Sequence, residues 1–259
     1  MNNSPIGIFD SGIGGLSVLK EINRVLPNEN TIYLADNKNC PYGNKDISDI
    51  IKLSLKNASV LIKMNCKIIV VACNTATTNA IKEIRNSFSV PVIGIEPAIK
   101  PAILNTKTNK IGVLATEMTL TSNLFNQTSN KFSDNIEIIE QIGFGLVNLI
   151  EKGDINTENT KQLLKSYIDP MLDSNIDQLV LGCTHYHFLI PIIRQIIPEK
   201  ITIQDPNKAI AKQIKKILKI ENLENTLKSN CKNKVYANGN TEIINTIINS
   251  NGEVNSLDF

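Results

Sequence analysis

The 259-residue sequence carries only five cysteines, widely scattered. That excludes a disulfide-stapled secreted scaffold, and a chain of this size needs no such staples. No apolar run approaches the about 20 residues that a membrane helix requires. Charge of one sign is also missing: 27 basic and 25 acidic side chains leave a net +2, so nothing calls for nucleic acid or anionic lipid as a partner. The first residues, Met1 to Pro5, lack the basic start and apolar stretch of a secretory signal. What is present is an ordinary globular balance of 42% hydrophobic and 20% charged residues, enough to bury a core. The expectation is a cytoplasmic protein with reduced thiols, built as one large or two small domains.

Short apolar runs alternate with helical patterns along the whole chain. Ile6–Phe9, Thr31–Ala35, Ile68–Ala72, Pro91–Ile95, Lys110–Leu114, Ile136–Glu140, Gln178–Leu181 and Ile201–Ile203 read as strands. Helical spacing links Leu16, Leu19 and Ile22, then Ile50 to Leu61, then Ile81 and Ile84. Strands apolar on both faces and separated by helices predict parallel sheets covered on both sides, an α/β doubly wound architecture. In such sheets the ligand sits beyond the carboxyl ends of the strands. The Asn- and Ser-rich stretches near 126–135 and 221–232 read as loops. Past residue 207, Ile210, Ile214 and Leu218 form one stripe with Lys212, Lys215, Lys216 and Lys219 outside it, a solvated helix face rather than a polyanion site.

An internal repeat is visible. IIVVACNTATTNAIKEIRNSFSVPVIGIEP ends at Pro97 and QLVLGCTHYHFLIPIIRQIIPEKITIQDP at Pro206. Cys73 and Cys183 lie 110 residues apart, while Arg85 and Arg194, and Glu96 and Asp205, lie 109 apart. A weaker match pairs IGIFDS from Ile6 with IGVLAT from Ile111. The expectation is two like domains about a pseudo-two-fold axis, 1–96 with 207–259 and 97–206, enclosing a cleft.

The repeated cysteines carry the most chemistry. Each follows a buried strand, in a polar turn leading into a helix, whose dipole lowers a thiol pKa from about 8.5 towards neutrality. Two thiols on opposite walls of a cleft suit removal of a proton from one face of a carbon and delivery to the other. Asp10 and Ser11 open DSGIGGLSVL, a Gly-rich turn with neither G-x-G-x-x-G nor a Walker lysine. Its backbone amides suit a carboxylate, or Asp10 caps the helix. Asn74, Thr75, Thr184 and His185 supply neutral donors and acceptors, and Tyr42-Gly43 forms a turn that either closes over a site or is purely structural. A metal reading would use Cys183, His185, His187 and Cys73; the spacing of two and the lack of C-x-x-C speak against it. A hydrolase built on Cys183 and His185 would leave Cys73 and the repeat without purpose. Cys40, Cys66 and Cys231 read as small buried hydrophobes.

Together FDSGIGGLSVL (9–19), ADNKNCPYGNK (35–45), ACNTATTNA (72–80), VPVIGIEPAIKPA (90–102), IGVLAT (111–116) and LGCTHYHFL (181–189) resemble the glutamate racemases of the aspartate/glutamate racemase superfamily. The resemblance implies two pseudo-symmetric α/β domains with the active site between them, often in a homodimer. It implies interconversion of L- and D-glutamate by two bases without a cofactor, supplying D-glutamate for peptidoglycan. Carried over, Cys183 resembles the thiolate that deprotonates L-glutamate and Cys73 the thiol that reprotonates the other face. Asp10 resembles the acid beside the first thiol, His185 the polar partner beside the second, and Glu151 a further assisting acid. Ser11, Tyr42, Gly43, Asn74, Thr75, Thr116 and Thr184, with Asp10 and His185, resemble the groups that hold substrate. Asp36 matches a family acid and has no assigned role. His187 replaces a usual Pro and Asn37 a usual Thr, departures that bear on loop shape. A sister racemase acting on aspartate or a hydantoin is the near alternative, and a non-catalytic amino-acid sensor the distant one.

Overall fold

The computed structural model describes residues 3–132, 135–225, 231–248 and 253–259. Its first sheet uses β1 (Ile6–Asp10), β2 (Thr31–Ala35), β3 (Ile68–Val71) and β4 (Val92–Gly94). The second uses β5 (Lys110–Ala115), β6 (Glu137–Ile142), β7 (Gln178–Gly182) and β8 (Thr202–Gln204). The chain then returns to the first sheet with β9 (Asn233–Ala237) and β10 (Glu253–Ser256). Among the described residues the strand orders are β10-β9-β2-β1-β3-β4 and β6-β5-β7-β8. All the pairings are parallel, for example Ile6 opposite both Thr31 and Ile68. Setting β5 on β1 and β7 on β3 superposes the two orders, so the same winding is used twice. This is the predicted α/β class.

The repeat extends to details of chain geometry. Arg85, on α3 (Asn74–Ser87), bonds the carbonyl of Val92 at 3.3 Å, and Arg194, on α9 (Ile190–Ile196), bonds that of Ile201 at 2.9 Å. Asn65 follows α2 (Ile47–Lys63) with φ 60°, and Asn175 follows α8 (Glu158–Asp173) with φ 61°. Each sits in the left-handed region that Asn tolerates at a helix end, and each turns the chain into the strand that leads to a cysteine.

β1, β2, β3 and β7 are buried along their whole length, as continuous apolar runs demand when helices cover both faces. On one side of the first sheet α1 (Leu16–Val25) and α10 (Asn207–Ile220) pack through Leu19, Ile22, Ile214 and Leu218. On the other, α2 and α3 cover Phe9, Ile69 and Val71. The first of these cores is continuous with the second half of the chain through Leu179, Leu181, Tyr186 and Leu189. Lys212, Lys215, Lys216 and Lys219 are exposed, as the stripe pattern requires.

Two expectations, the loop at 126–132 and the covering of β6 on both faces, need correction. Residues 126–132 are helical, within α6 (Asn123–Phe132), because Phe125 is buried in the core beside Ile111 and Val113 and holds an otherwise polar segment in place; residues 133–134 lie outside the described residues. The loop expected over 221–232 is found at 221–225 and 231–232, and 226–230 lie outside the described residues. β6 is an edge strand exposing Glu137 and Glu140, so it is not covered on both faces. β9 and β10 answer to no strand in the sequence reading. Among the described residues no helix is long and apolar enough to cross a membrane.

Candidate active site

The carboxyl ends of the two sheets converge, and the residues just past β1, β3, β5 and β7 meet there. Cys73 lies two residues past β3 and caps α3, its Sγ accepting the Ala76 N–H at 3.5 Å while its thiol donates to Ser11 Oγ at 3.7 Å. Cys183 follows β7 and opens a 3-10 run over Thr184–Leu189; its Sγ lies 3.9 Å from His185 Nδ1. Both side chains are buried. The expected lowering of the thiol pKa by the helix dipole is overturned at Cys73. Burial strips water from the would-be thiolate and Asp10 adds negative charge, so the thiol is pushed up to about 12 against the weaker pull of the Ala76 N–H and the Ser11 hydroxyl.

Asp10 does not cap α1, whose cap is Gly15. One Asp10 carboxylate oxygen accepts the Gly12 N–H at 2.8 Å and the other accepts the Thr184 hydroxyl at 2.9 Å, joining the two halves. Burial lifts its pKa to about 6 in spite of the opposing His185 charge. The Gly-rich turn has a steric reason. A Cβ on Gly14 would stand 2.5 Å from both His185 Nδ1 and Thr184 Oγ1 and 2.7 Å from the His185 backbone nitrogen. A Cβ on Gly12 would stand 1.9 Å from Glu151 Oε1. The turn is glycine because the opposite half approaches its backbone.

Glu151 closes α7 (Leu146–Glu151), yet its carboxylate reaches inward, to His185 Nε2 at 2.6 Å and the Ile13 N–H at 2.8 Å. Burial pushes Glu151 up, but His185, the Ile13 N–H and the Cys40 thiol together hold it below the ordinary carboxylate range. Burial likewise pushes His185 down, but Cys183, Cys40 and Glu151 hold its pKa well above that of a free imidazole. His185 and Glu151 thus form a close pair beside Cys183.

Polar groups line the remaining wall. The Thr75 and Thr116 hydroxyls lie 2.9 Å apart, with Thr119 at 3.3 and 2.9 Å from them. Asn74 Nδ2 faces the Ile95 carbonyl at 3.4 Å, while Asn74 Oδ1 is buried without a partner. Gly43 backs onto Thr116, where an added Cβ would meet the threonine Cβ at 2.8 Å. Tyr42 is buried with its hydroxyl engaged, donating to Asp36 and accepting from Asn57 Nδ2 at 3.0 Å. Asp36 also accepts from Asn39 Nδ2 at 2.7 Å and Asn238 Nδ2, which makes it the anchor of the PYG turn.

The metal set weighed from sequence is not brought together. His187 turns away, its Nε2 3.1 Å from Asp205 Oδ1 and its Nδ1 3.2 Å from the Thr184 carbonyl. Asn37 reaches the Asn240 carbonyl at 2.5 Å, so both departures from the family pattern sit in contacts flanking the cleft. Three groups at the site escaped the sequence reading: Thr119, Cys40, and Tyr33, whose hydroxyl donates to the Gly12 carbonyl at 2.7 Å. Thr119 sits in a short helix over Glu117–Leu120 and Cys40 in the NCPYGN turn, neither marked by a hydrophobic period; Tyr33 was visible only as a strand residue.

Residues 6–214 match the family model described as Asp/Glu/Hydantoin racemase. The glutamate racemase of Ralstonia pickettii is 44% identical over 221 residues, 85% of this chain and 78% of that protein. The crystal structure of a glutamate racemase isoform from Bacillus anthracis aligns over 100% of this chain and 99% of its own, with TM-score 0.90 and 30% identity. That of Escherichia coli glutamate racemase, in complex with L-glutamate and an activator, aligns over 98% of each chain with TM-score 0.86 and 31% identity. A twice-wound α/β frame with a thiol at matching strand ends is thus the frame of an amino-acid racemase. Within that class, the chain belongs to the glutamate racemase family.

Proposed function

We propose that this enzyme interconverts L- and D-glutamate by a two-thiol proton transfer without a cofactor. The observation that carries the reading is the pairing of Cys73 and Cys183 at equivalent strand ends with neighbours of opposite charge: Asp10 beside one, the His185–Glu151 pair beside the other. In the L-to-D direction Cys183 removes the α-proton, with the His185 imidazolium stabilising negative charge on its sulfur. Cys73 then delivers its thiol proton to the opposite face of the carbanion, and in the D-to-L direction the two exchange roles. The α-carbon is a far weaker acid than an ordinary thiol. A raised Cys73 pKa narrows that gap, because the thiolate formed there is a stronger base. The substrate ammonium suits Asp10 and the unpartnered Asn74 Oδ1, and its carboxylates suit Ser11, Thr75, Thr116, Thr184 and the backbone at Gly43. Tyr42 supports that wall through its ring, with Asp36 holding its hydroxyl.

In the same reading the two sheets are two domains, 1–96 with 207–259 and 97–206, with the cleft between them. A cytoplasmic homodimer feeding peptidoglycan synthesis completes it. The decisive experiment incubates the enzyme with L-glutamate in deuterated water and follows optical rotation with α-deuterium incorporation. Inversion with deuterium uptake is expected, lowered about 10²–10⁴-fold or more by Cys73→Ser and by Cys183→Ser. Undiminished turnover in either variant refutes the two-thiol scheme, and racemisation of aspartate with glutamate untouched refutes the substrate.

A further inference from the structure

Cys40 stands outside the scheme above, yet its thiol lies against the His185–Glu151 pair. Ligand atoms of Cys40, Glu151 and His185 all fall within 4.8 Å of one another. No other such trio of cysteine, histidine and carboxylate groups occurs among the described residues. We propose that Cys40, Glu151 and His185 form a binding site for a thiophilic divalent cation, Zn²⁺ by donor type, and that its occupation reversibly inhibits the enzyme.

The donor set is one sulfur, one imidazole nitrogen and one carboxylate oxygen, the mixture zinc prefers over calcium or magnesium. Zinc bonds of about 2.0–2.3 Å in tetrahedral geometry put ligand atoms about 3.3–3.6 Å apart. The His185 Nε2 to Glu151 Oε1 hydrogen bond of 2.6 Å therefore opens by about 1 Å to admit the ion. Three protein ligands leave a fourth position for water, as in exchangeable rather than structural sites. Cys40 and Glu151 are only partly buried, so the ion has an approach.

Binding is a proton exchange: the Cys40 thiol and the His185 imidazolium each lose a proton as the metal bonds form. The inhibitory consequence follows from the two nitrogens of one ring. His185 Nδ1 faces Cys183 while Nε2 faces Glu151. Metal on Nε2 leaves the Nδ1–H towards Cys183 but ties the ring to the ion and to a displaced Glu151, so His185 is held away from the position in which it stabilises the Cys183 thiolate. The binding does not depend on the racemase reading; the inhibition rests on it.

The test titrates the reduced, metal-free enzyme with Co²⁺ as a spectroscopic stand-in, and assays turnover against Zn²⁺. A thiolate-to-cobalt charge-transfer band in the near ultraviolet is expected, present in Cys73→Ser and lost in Cys40→Ser. Zn²⁺ inhibition of the wild type is expected to reverse with EDTA. In Cys40→Ser it should need at least about 10–100-fold more metal, since loss of a mere supporting partner already costs that range. Cys40→Val repeats the test if Cys40→Ser unfolds. No band in the wild type, or a band and inhibition that persist without Cys40, overturns the site. A Cys40-dependent band in a protein without racemase turnover leaves the metal site standing and refutes the proposed function instead.

Discussion

Asp10→Asn separates what the site does for chemistry from what it costs the fold. Asp10 is fully buried, and its pKa rises from 3.8 to about 6. A folded-state pKa above the unfolded one means the native protein holds the proton more tightly. Stability therefore falls as pH rises from about 4 to 6 and stays lower above that. The rise corresponds to about 3 kcal/mol of native-state penalty on the ionised carboxylate. Asparagine keeps the geometry: its oxygen accepts the Gly12 N–H, and its amide donates to Thr184 Oγ1, whose hydroxyl reverses role. The variant should thus be more stable than the wild type by up to about 3 kcal/mol at pH 8, near 6 °C in Tm, with the advantage vanishing towards pH 4. Racemisation should fall, since the cleft then lacks the carboxylate beside Cys73. Urea unfolding of both proteins from pH 4 to pH 8, with turnover measured at pH 8, provides the comparison. Parallel stability profiles, or an Asp10→Asn protein less stable at pH 8, would refute the assignment of Asp10 as a strained, functional carboxylate.

Other outcomes follow from single contacts. Gly14→Ala drives a methyl against the His185 backbone and ring, so kcat/KM should drop about 100-fold while stability falls by about 1–3 kcal/mol; full activity would show that the turn is not held by the opposite half. Glu151→Gln removes the charge partner 2.6 Å from His185 Nε2, so the His185 titration should move down towards the neutral range, read by NMR in a protein with only two histidines. Lys67 and Glu29 form an ion pair at 2.6 Å with side chains 2% and 4% exposed. Lys67→Met should cost about 3–5 kcal/mol in urea unfolding, and adding Glu29→Gln, which keeps the Asn225 N–H bond, should recover much of it. A single-variant cost under about 1 kcal/mol would show the pair is dispensable.

The legible part of the fold is the part written in short-range pattern. IIVV before Cys73 and QLVLG before Cys183 are buried on both faces, and no other element accommodates such runs in an α/β chain. Asn126–Phe132 misled because its composition is that of a loop, whereas one buried Phe125 and its neighbours decide the conformation. β9 was hidden for the opposite reason. NKVYA is a short run in a polar stretch, and it becomes a strand only because β2 offers an edge 202 residues earlier in the chain.

The site divides along the same line. The placement of Cys73, Cys183, Asp10 and the threonines is legible because strand ends in this architecture point at one place. Their state is not, because the Cys73 pKa depends on burial and on Asp10, neither of which is a property of the turn sequence. Cys40 is the sharper case. In NCPYGN it reads as a small buried hydrophobe, and nothing within a dozen positions identifies its partners. Glu151 lies 111 residues downstream and His185 145, yet both come to the same thiol. Only the folding of the second half onto the first creates that trio. The structure therefore adds to the sequence mainly where the two halves touch, and that contact is where charge, sulfur and imidazole are brought into one small volume.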